Sequence, residues 1–397
     1  MDILKEKHRK KVAGTSLGFV RSTMDRIDWN QQLTGIRGAR GVGKTTLLLQ
    51  YIARYHSDDP LALYASLDDI YFSGNRLSDV AGRFAREGGR RLFLDEVHKY
   101  PFWSRELKNI YDDIPELKVV FTGSSLLEIM DSRADLSRRA VVYTMQGLSY
   151  REYLGMAHGI NLPAFSLGDI LTRTYEITGL VNGKIKPLQY FFHYLATGYY
   201  PFFLESETLY PMRVEEVVKM IIEMELPLLR GVDVAYTGRL KQLLLIIAQS
   251  APFVPNVTKL SERIGINRNT LIAYLGHLQE AGLTRNLYKD ATGITILQKP
   301  EKIFLENSNL AFSLTNNTPE SGSMRETFFA NQVGFENELT YPENGDFRVN
   351  DRYLFEVGGK KKGKRQIQES PNSFIAADDI EFGFGNKIPL WLFGFLY

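Results

Sequence analysis

The chain contains no cysteine, which excludes disulfides and thiolate metal centres and accords with a reducing compartment. Its six histidines are scattered without a close pair, so a zinc site of the usual ligand spacing is not expected. An excess of one charge is missing too. Lys+Arg 48 against Asp+Glu 46 leave a formal net charge of +2, so any basic or acidic binding surface must be local. No apolar run approaches the roughly 18 residues of a membrane-spanning helix, and the basic start MDILKEKHRKKVAG leads into no signal-like apolar core. The expectation is a cytoplasmic chain without a membrane partner. Repeats and low-complexity tracts are absent, the nearest being KKKGKR at 360–365. With 397 residues, 44% hydrophobic and 24% charged, the composition fits two or three folded domains.

What is present begins with alternation. LTGIRG, ALYASL, RLFLDEV, LKVVFTGSS and AVVYTMQ read as strands, and TTLLLQYIARYH, NRLSDVAGRFAREGG and FWSRELKNIYDDI between them read as helices. Such an order predicts a parallel sheet covered by helices. Between the first strand and first helix, Gly38, Ala39, Arg40, Gly41, Val42, Gly43, Lys44 and Thr45 fit G-x-x-x-x-G-K-[ST], with Thr46 following. Glycines let the backbone turn its N–H groups inward, and the helix adds its positive end, so the run predicts a phosphate cradle. Lys44 would meet the β and γ phosphates and the Thr45 hydroxyl would ligate Mg²⁺. At the end of RLFLDEV, Asp95 is placed to hold the metal and Glu96 to polarise an attacking water, the alternative being a helix-capping acidic pair. LKVVFTGSS ends in hydroxyls, Thr122, Ser124 and Ser125, which would either sense the γ phosphate or cap a helix.

Further on, VTKLSERIGINRNTLIAYLGHLQEAGLTRNLYK (257–289) has a helix from Thr258 to Ile264, a turn at Gly265 and a second helix opening near Asn267 with Leu271, Leu275 and Leu278 on one face. A strand and a turn at Gly293 would complete a winged helix. Arg268, Asn269 and Thr270 are placed to reach base edges, but Lys259, Arg263, Arg268, Arg285 and Lys289 against Glu262, Glu280 and Asp290 make a thin footprint for DNA. An interdomain joint is the competing reading. Residues 291–397 return to strands, GITILQ, KIFLEN, DFRVN, RYLFEVGG and PLWLFGFLY. Glu326, Asp346 and Glu356 follow the order of a PD-(D/E)xK metal nuclease, whose lysine stands two residues after the last acid. Here that position is Gly358, and the first lysine, Lys360, would lie about 13 Å from Glu356 along a continuing strand unless the backbone bulges at Gly358 and Gly359.

GARGVGKTTLL, LFLDEVH, VVFTGSS, LSRRAVVYTMQGLSYREYL and GYYPFFLE, in that order, resemble the motifs of prokaryotic AAA-type ATPases that carry a C-terminal nuclease-like domain of unknown function. The resemblance implies that Arg139 senses the γ phosphate of its own or a neighbouring subunit, with Arg138 where that family has glycine. It also implies that residues 150–230 form a helical lid, whose aromatic run QYFFHYLATGYYPFFLE reads as core rather than ligand box. The expected fold is therefore α/β: a P-loop NTPase parallel sheet over 1–149, a helical lid over 150–230, a winged helix-turn-helix domain over 231–290 and a degenerate restriction-endonuclease-like α/β domain over 291–397. The expected function is that of an ATP- and Mg²⁺-dependent AAA-type ATPase, slow and regulated, working as a switch on its other domains. The alternatives are an ATP-dependent DNA-processing nuclease and a DNA-binding regulator. Expected partners are ATP, an unidentified protein, DNA through the winged helix or C-terminal domain, and a second copy of the chain.

Overall fold

The computed structural model describes residues 1–123, 136, 138–250, 252–289, 299–315, 318–363 and 372–397. Ser124, Ser125 and the expected strand GITILQ lie outside the described residues. The chain forms two compact units, Met1–Gly147 and Leu148–Tyr397.

In the first unit β1 (Leu33–Arg37), β2 (Ala62–Ser66), β3 (Arg91–Asp95), β4 (Lys118–Gly123) and β5 (Val141–Thr144) form an all-parallel sheet in the order β2-β3-β4-β1-β5. Strands covered on both faces need apolar side chains at every position, which is why RLFLD and LTGIR read as runs rather than alternations. The helix Leu77–Arg86 shows the complementary pattern, with Leu77, Val80, Ala81 and Phe84 forming a buried stripe. The helix Asp2–Ala13 buries Leu4, His8 and Val12 at four-residue spacing. His8 Nδ1 accepts the Tyr64 backbone N–H at 2.9 Å, which covers part of the edge strand β2. Pairing Ile36 with Thr122 and Ser66 with Asp95 sets the carboxyl ends of the strands along one rim. Since β1 follows β4 in space, the chain reverses direction of winding there, and ligands of such sheets bind outside that rim.

The second unit opens with a capping box, Ser149 to Glu152, at the helix Tyr150–His158. Tyr150 packs its ring against Phe191, Tyr194 and Phe395, and Phe191 meets Phe328 edge-on at 4.8 Å. Most of the aromatic run is thus core, as the sequence suggested, and Phe191 joins it to the helix Ser321–Val333 through Phe328. The helix Tyr210–Met220 widens into a π turn at Ile221–Glu225 just before Pro227, which has no N–H to give to a regular ladder. The helices Val257–Ile264 and Arg268–Glu280 are separated by Gly265 in the left-handed region, and each is capped by an asparagine, Asn256 and Asn267. The antiparallel pair β6 (Thr284–Leu287) and β7 (Lys302–Leu305) follows. A mixed sheet, β12-β11-β10-β9-β8, is built from β8 (Leu339–Thr340), β9 (Phe347–Val349), β10 (Tyr353–Gly358), β11 (Ser373–Ala377) and β12 (Lys387–Pro389). The helix Ser321–Val333 accompanies it. PLWLFGFLY is not the expected strand: after β12, Leu390–Phe395 winds into a fully buried 3-10 segment. An unbroken apolar run has no period to separate strand from buried helix.

Candidate nucleotide site and C-terminal carboxylate centre

The glycine-rich run leaves β1 at the carboxyl rim and enters the helix Lys44–Tyr55. Gly41 (φ 85) and Gly43 (φ 97) take backbone angles that side chains resist. A Cβ at Gly38 would stand 2.3 Å from the Met145 carbonyl oxygen, so this position admits glycine alone. Gly43 caps the helix without any side-chain hydrogen bond, which leaves the first-turn N–H groups to an anion. Lys44 is buried, and its ammonium donates to the carbonyls of Gly38 and Ala39 at 2.9 Å each, holding the loop curled around it. Arg21, also buried, donates to Val42 O at 2.9 Å and to Gln146 O and Gly147 O, tying the loop to the end of the unit. Thr45 is half-buried and Thr46 exposed at the helix start.

Asp95 ends β3 with 2% exposure. Tyr64 OH donates to its Oδ2 at 2.9 Å and the Thr122 hydroxyl donates to its Oδ1. Burial, then the Asp95 charge, push the Tyr64 phenol far up, so it remains a donor. Glu96 occupies the left-handed region at φ 54, uncommon for a residue with a Cβ, and its N–H donates to the same Thr122 oxygen at 3.3 Å. One hydroxyl therefore orients both carboxylate residues. His98 Nε2 lies 3.4 Å from Glu96 Oε2. Burial first, then the charges of Lys99, Lys44 and Arg40, push the imidazole down to about 4, so at neutral pH this contact is not an ion pair. Lysine, hydroxyl and carboxylate at one rim form a donor set that fits Mg²⁺ with a nucleotide triphosphate. Tyr64 carries no signal in sequence, since it lies mid-strand on β2. Thr122 was visible as a strand-end hydroxyl, and its role here is to hold Asp95 and Glu96.

Arg139 is elsewhere. It precedes β5, whose first residue Val141 pairs with Thr34 about 10 Å short of the rim where β1 gives way to the glycine loop, so Arg139 lies further back still. Its guanidinium makes a two-pronged contact with Asp112, 2.9 Å on each arm. A parallel strand carries its two ends to opposite sides of the sheet, so Arg139 lies on the side away from the glycine loop.

In the second unit the nuclease-like residues do converge, with a different lysine. Glu356 on β10 is 1% exposed, and its Oε1 meets Lys362 Nζ at 3.1 Å. Lys362, rather than Lys360, reaches it because the chain turns back after Gly358. A Cβ at Gly358 would lie 2.8 Å from the Lys362 Cγ and Cδ, so the lysine stem fills the space left by the missing side chain. Lys387 holds the turn, donating to Lys360 O at 2.6 Å and Lys362 O at 3.3 Å. Asp346 Oδ2 accepts from Val357 N at 2.8 Å, and Glu326 comes from the helix Ser321–Val333. Lys302, unforeseen from sequence, contacts Glu326 at 2.5 Å and Asp346 at 3.6 Å. Burial, the larger influence, raises the Glu326 carboxyl against the pull of Lys302. In the helix-turn-helix, Arg268 and Asn269 are exposed while Thr270 is half-buried with its N–H on the Asn267 cap.

Residues 30–154 match the sequence model of the AAA domain family, and residues 188–321 match that of a domain of unknown function (DUF8612). The first unit is an AAA-type P-loop domain. No curated protein matches the sequence. Among solved structures, the Walker-type ATPase PABY2304 of Pyrococcus abyssi is similar at 14% identity, covering 78% of this chain and 95% of that one with a TM-score of 0.41. AMPPCP-bound DnaA from Aquifex aeolicus is similar at 14% identity over 65% and 84%, TM-score 0.25. The Hsp104–ADP complex of S. cerevisiae is similar at 14% identity over 68% and 42%, TM-score 0.31.

Proposed function

We propose that the first unit binds MgATP in the Gly38–Thr46 loop and hydrolyses it slowly, as a nucleotide-dependent switch. The supporting observation is Asp95, buried at the rim and held by both Tyr64 and Thr122, with Glu96 beside it in a strained backbone. Lys44 would leave the Gly38 and Ala39 carbonyls for the phosphate oxygens, exchanging two neutral acceptors for charged ones. Thr45 and Asp95 would hold the magnesium ion, which supplies charge neutralisation at the phosphates. Glu96 accepts the proton of the attacking water; its contact with neutral His98 keeps the carboxylate turned without neutralising it. Arg139 serves the nucleotide of a neighbouring copy, a reading supported by its place at the far edge of its own sheet.

Lys44→Ala should weaken ATP binding by about 2 kcal/mol, roughly 30-fold, as charged hydrogen bonds are lost. Unchanged affinity in a folded variant, by titration calorimetry, would remove the basis of this reading. The helix-turn-helix and the β6–β7 pair are compatible with a winged helix that transmits the nucleotide state. DNA as its partner rests on the exposed Arg268 and Asn269 alone.

A further inference from the structure

The C-terminal centre raises a question of charge. A nuclease of the type its acids suggest would hold a divalent cation among them, with oxygens at about 2.0–2.6 Å. Lys302 stands in that place. It is the first residue of β7, 8% exposed, with its ammonium 2.5 Å from Glu326 Oε2 and 3.6 Å from Asp346 Oδ1. Glu326 comes from the helix Ser321–Val333 and Asp346 from the bend just before β9, and unopposed they would repel each other in a partly dehydrated setting. The ammonium relieves that repulsion and fills the volume a shared metal would need. Lys362 does the same for one oxygen of Glu356. Among the described residues, Glu356 Oε2 is buried and has no hydrogen-bond partner, which leaves it with an unmet demand for a cation or donor. Among the described residues no three His, Cys, Asp or Glu side chains close into a metal cage. The acids are gathered, and lysine separates them.

We propose that Lys302 is a tethered cation: it takes the position of a divalent ion between Glu326 and Asp346, excludes such an ion from the intact chain, and leaves a divalent-cation site when its ammonium is removed. The centre as it stands therefore does not assemble the metal on which phosphodiester cleavage of this type depends. The ligand class of the opened site is a hard divalent cation such as Mg²⁺ or Mn²⁺, because every donor is a carboxylate oxygen.

The test uses the full chain without nucleotide, with Mn²⁺ as probe, read by thermal unfolding and by direct Mn²⁺ binding. Wild type should bind no Mn²⁺ that Asp346→Asn removes, and its unfolding midpoint should not respond. Lys302→Met keeps the stem but not the charge; it should lower the midpoint, and Mn²⁺ should restore it while one ion binds per chain. Lys302→Met/Asp346→Asn should lose both the ion and the restoration. A wild-type ion lost in Asp346→Asn would overturn the proposal, because lysine and metal would then coexist. So would a Lys302→Met chain, folded or not, that Mn²⁺ fails to restore.

Discussion

Tyr64 and Thr122 give Asp95 a fixed orientation that no neighbour in sequence supplies. Tyr64→Phe removes one donor from a buried carboxylate, and leaving that oxygen unpaired costs about 1–3 kcal/mol. Phosphate release should fall while nucleotide binding persists, a split that kinetics and calorimetry on the same variant would show. His98 allows a pH prediction. Its folded value is depressed to about 4, so between there and its ordinary value near 6.5 the unfolded chain binds the proton and the folded chain does not. Stability contributed by His98 is therefore present at neutral pH and is lost as the pH falls through that window. His98→Gln should flatten the decline of the unfolding midpoint between about pH 6.5 and 4, and an unchanged decline would assign it to other groups, buried His8 among them. The site's consecutive residues were legible because a phosphate cradle is made by a single stretch of backbone. Tyr64 and Lys302 were not, because they arrive from separate strands and their residue types are ordinary there.

At the scale of elements, the two-residue rule of a strand failed instructively at Glu356. Gly358 supplies no side chain, and the empty space is filled by Lys362, which a turn brings back over the strand end. Gly358→Val should push this stem aside and break the Lys362–Glu356 contact; with Glu356 then buried and unpaired, a loss of about 3 kcal/mol or more is expected in chemical denaturation. A stability change within about 0.5 kcal/mol would show the stem to be replaceable. The final segment shows the other limit of pattern reading. Trp391, Phe393 and Phe395 are all buried, so apolar character was legible and the winding into a 3-10 segment was not. The alternation from β1 to β4, by contrast, was read directly, since β3 is a buried apolar run and the helix Leu77–Arg86 carries a buried stripe.

For the whole molecule, the division into units at Gly147 and Leu148 separates the nucleotide chemistry from the lysine-filled carboxylate centre. Binding of MgATP stabilises the unit that holds it, most directly the backbone it touches, by about 2.7 kcal/mol at a hundredfold excess over Kd. Hydrogen-exchange protection on adding nucleotide should therefore be greatest over residues 38–47, and uniform protection along the chain would contradict that placement. The proposed service of Arg139 to a neighbouring copy would tie full activity to self-association. Light scattering should show a larger species with MgATP than without. Steady-state phosphate release from MgATP by wild type and Glu96→Gln bears most directly on the account: turnover in wild type should fall about 10²-fold in the variant with binding retained. Equal rates in the two proteins would contradict it, leaving Glu96 a loop carboxylate in a nucleotide-binding fold.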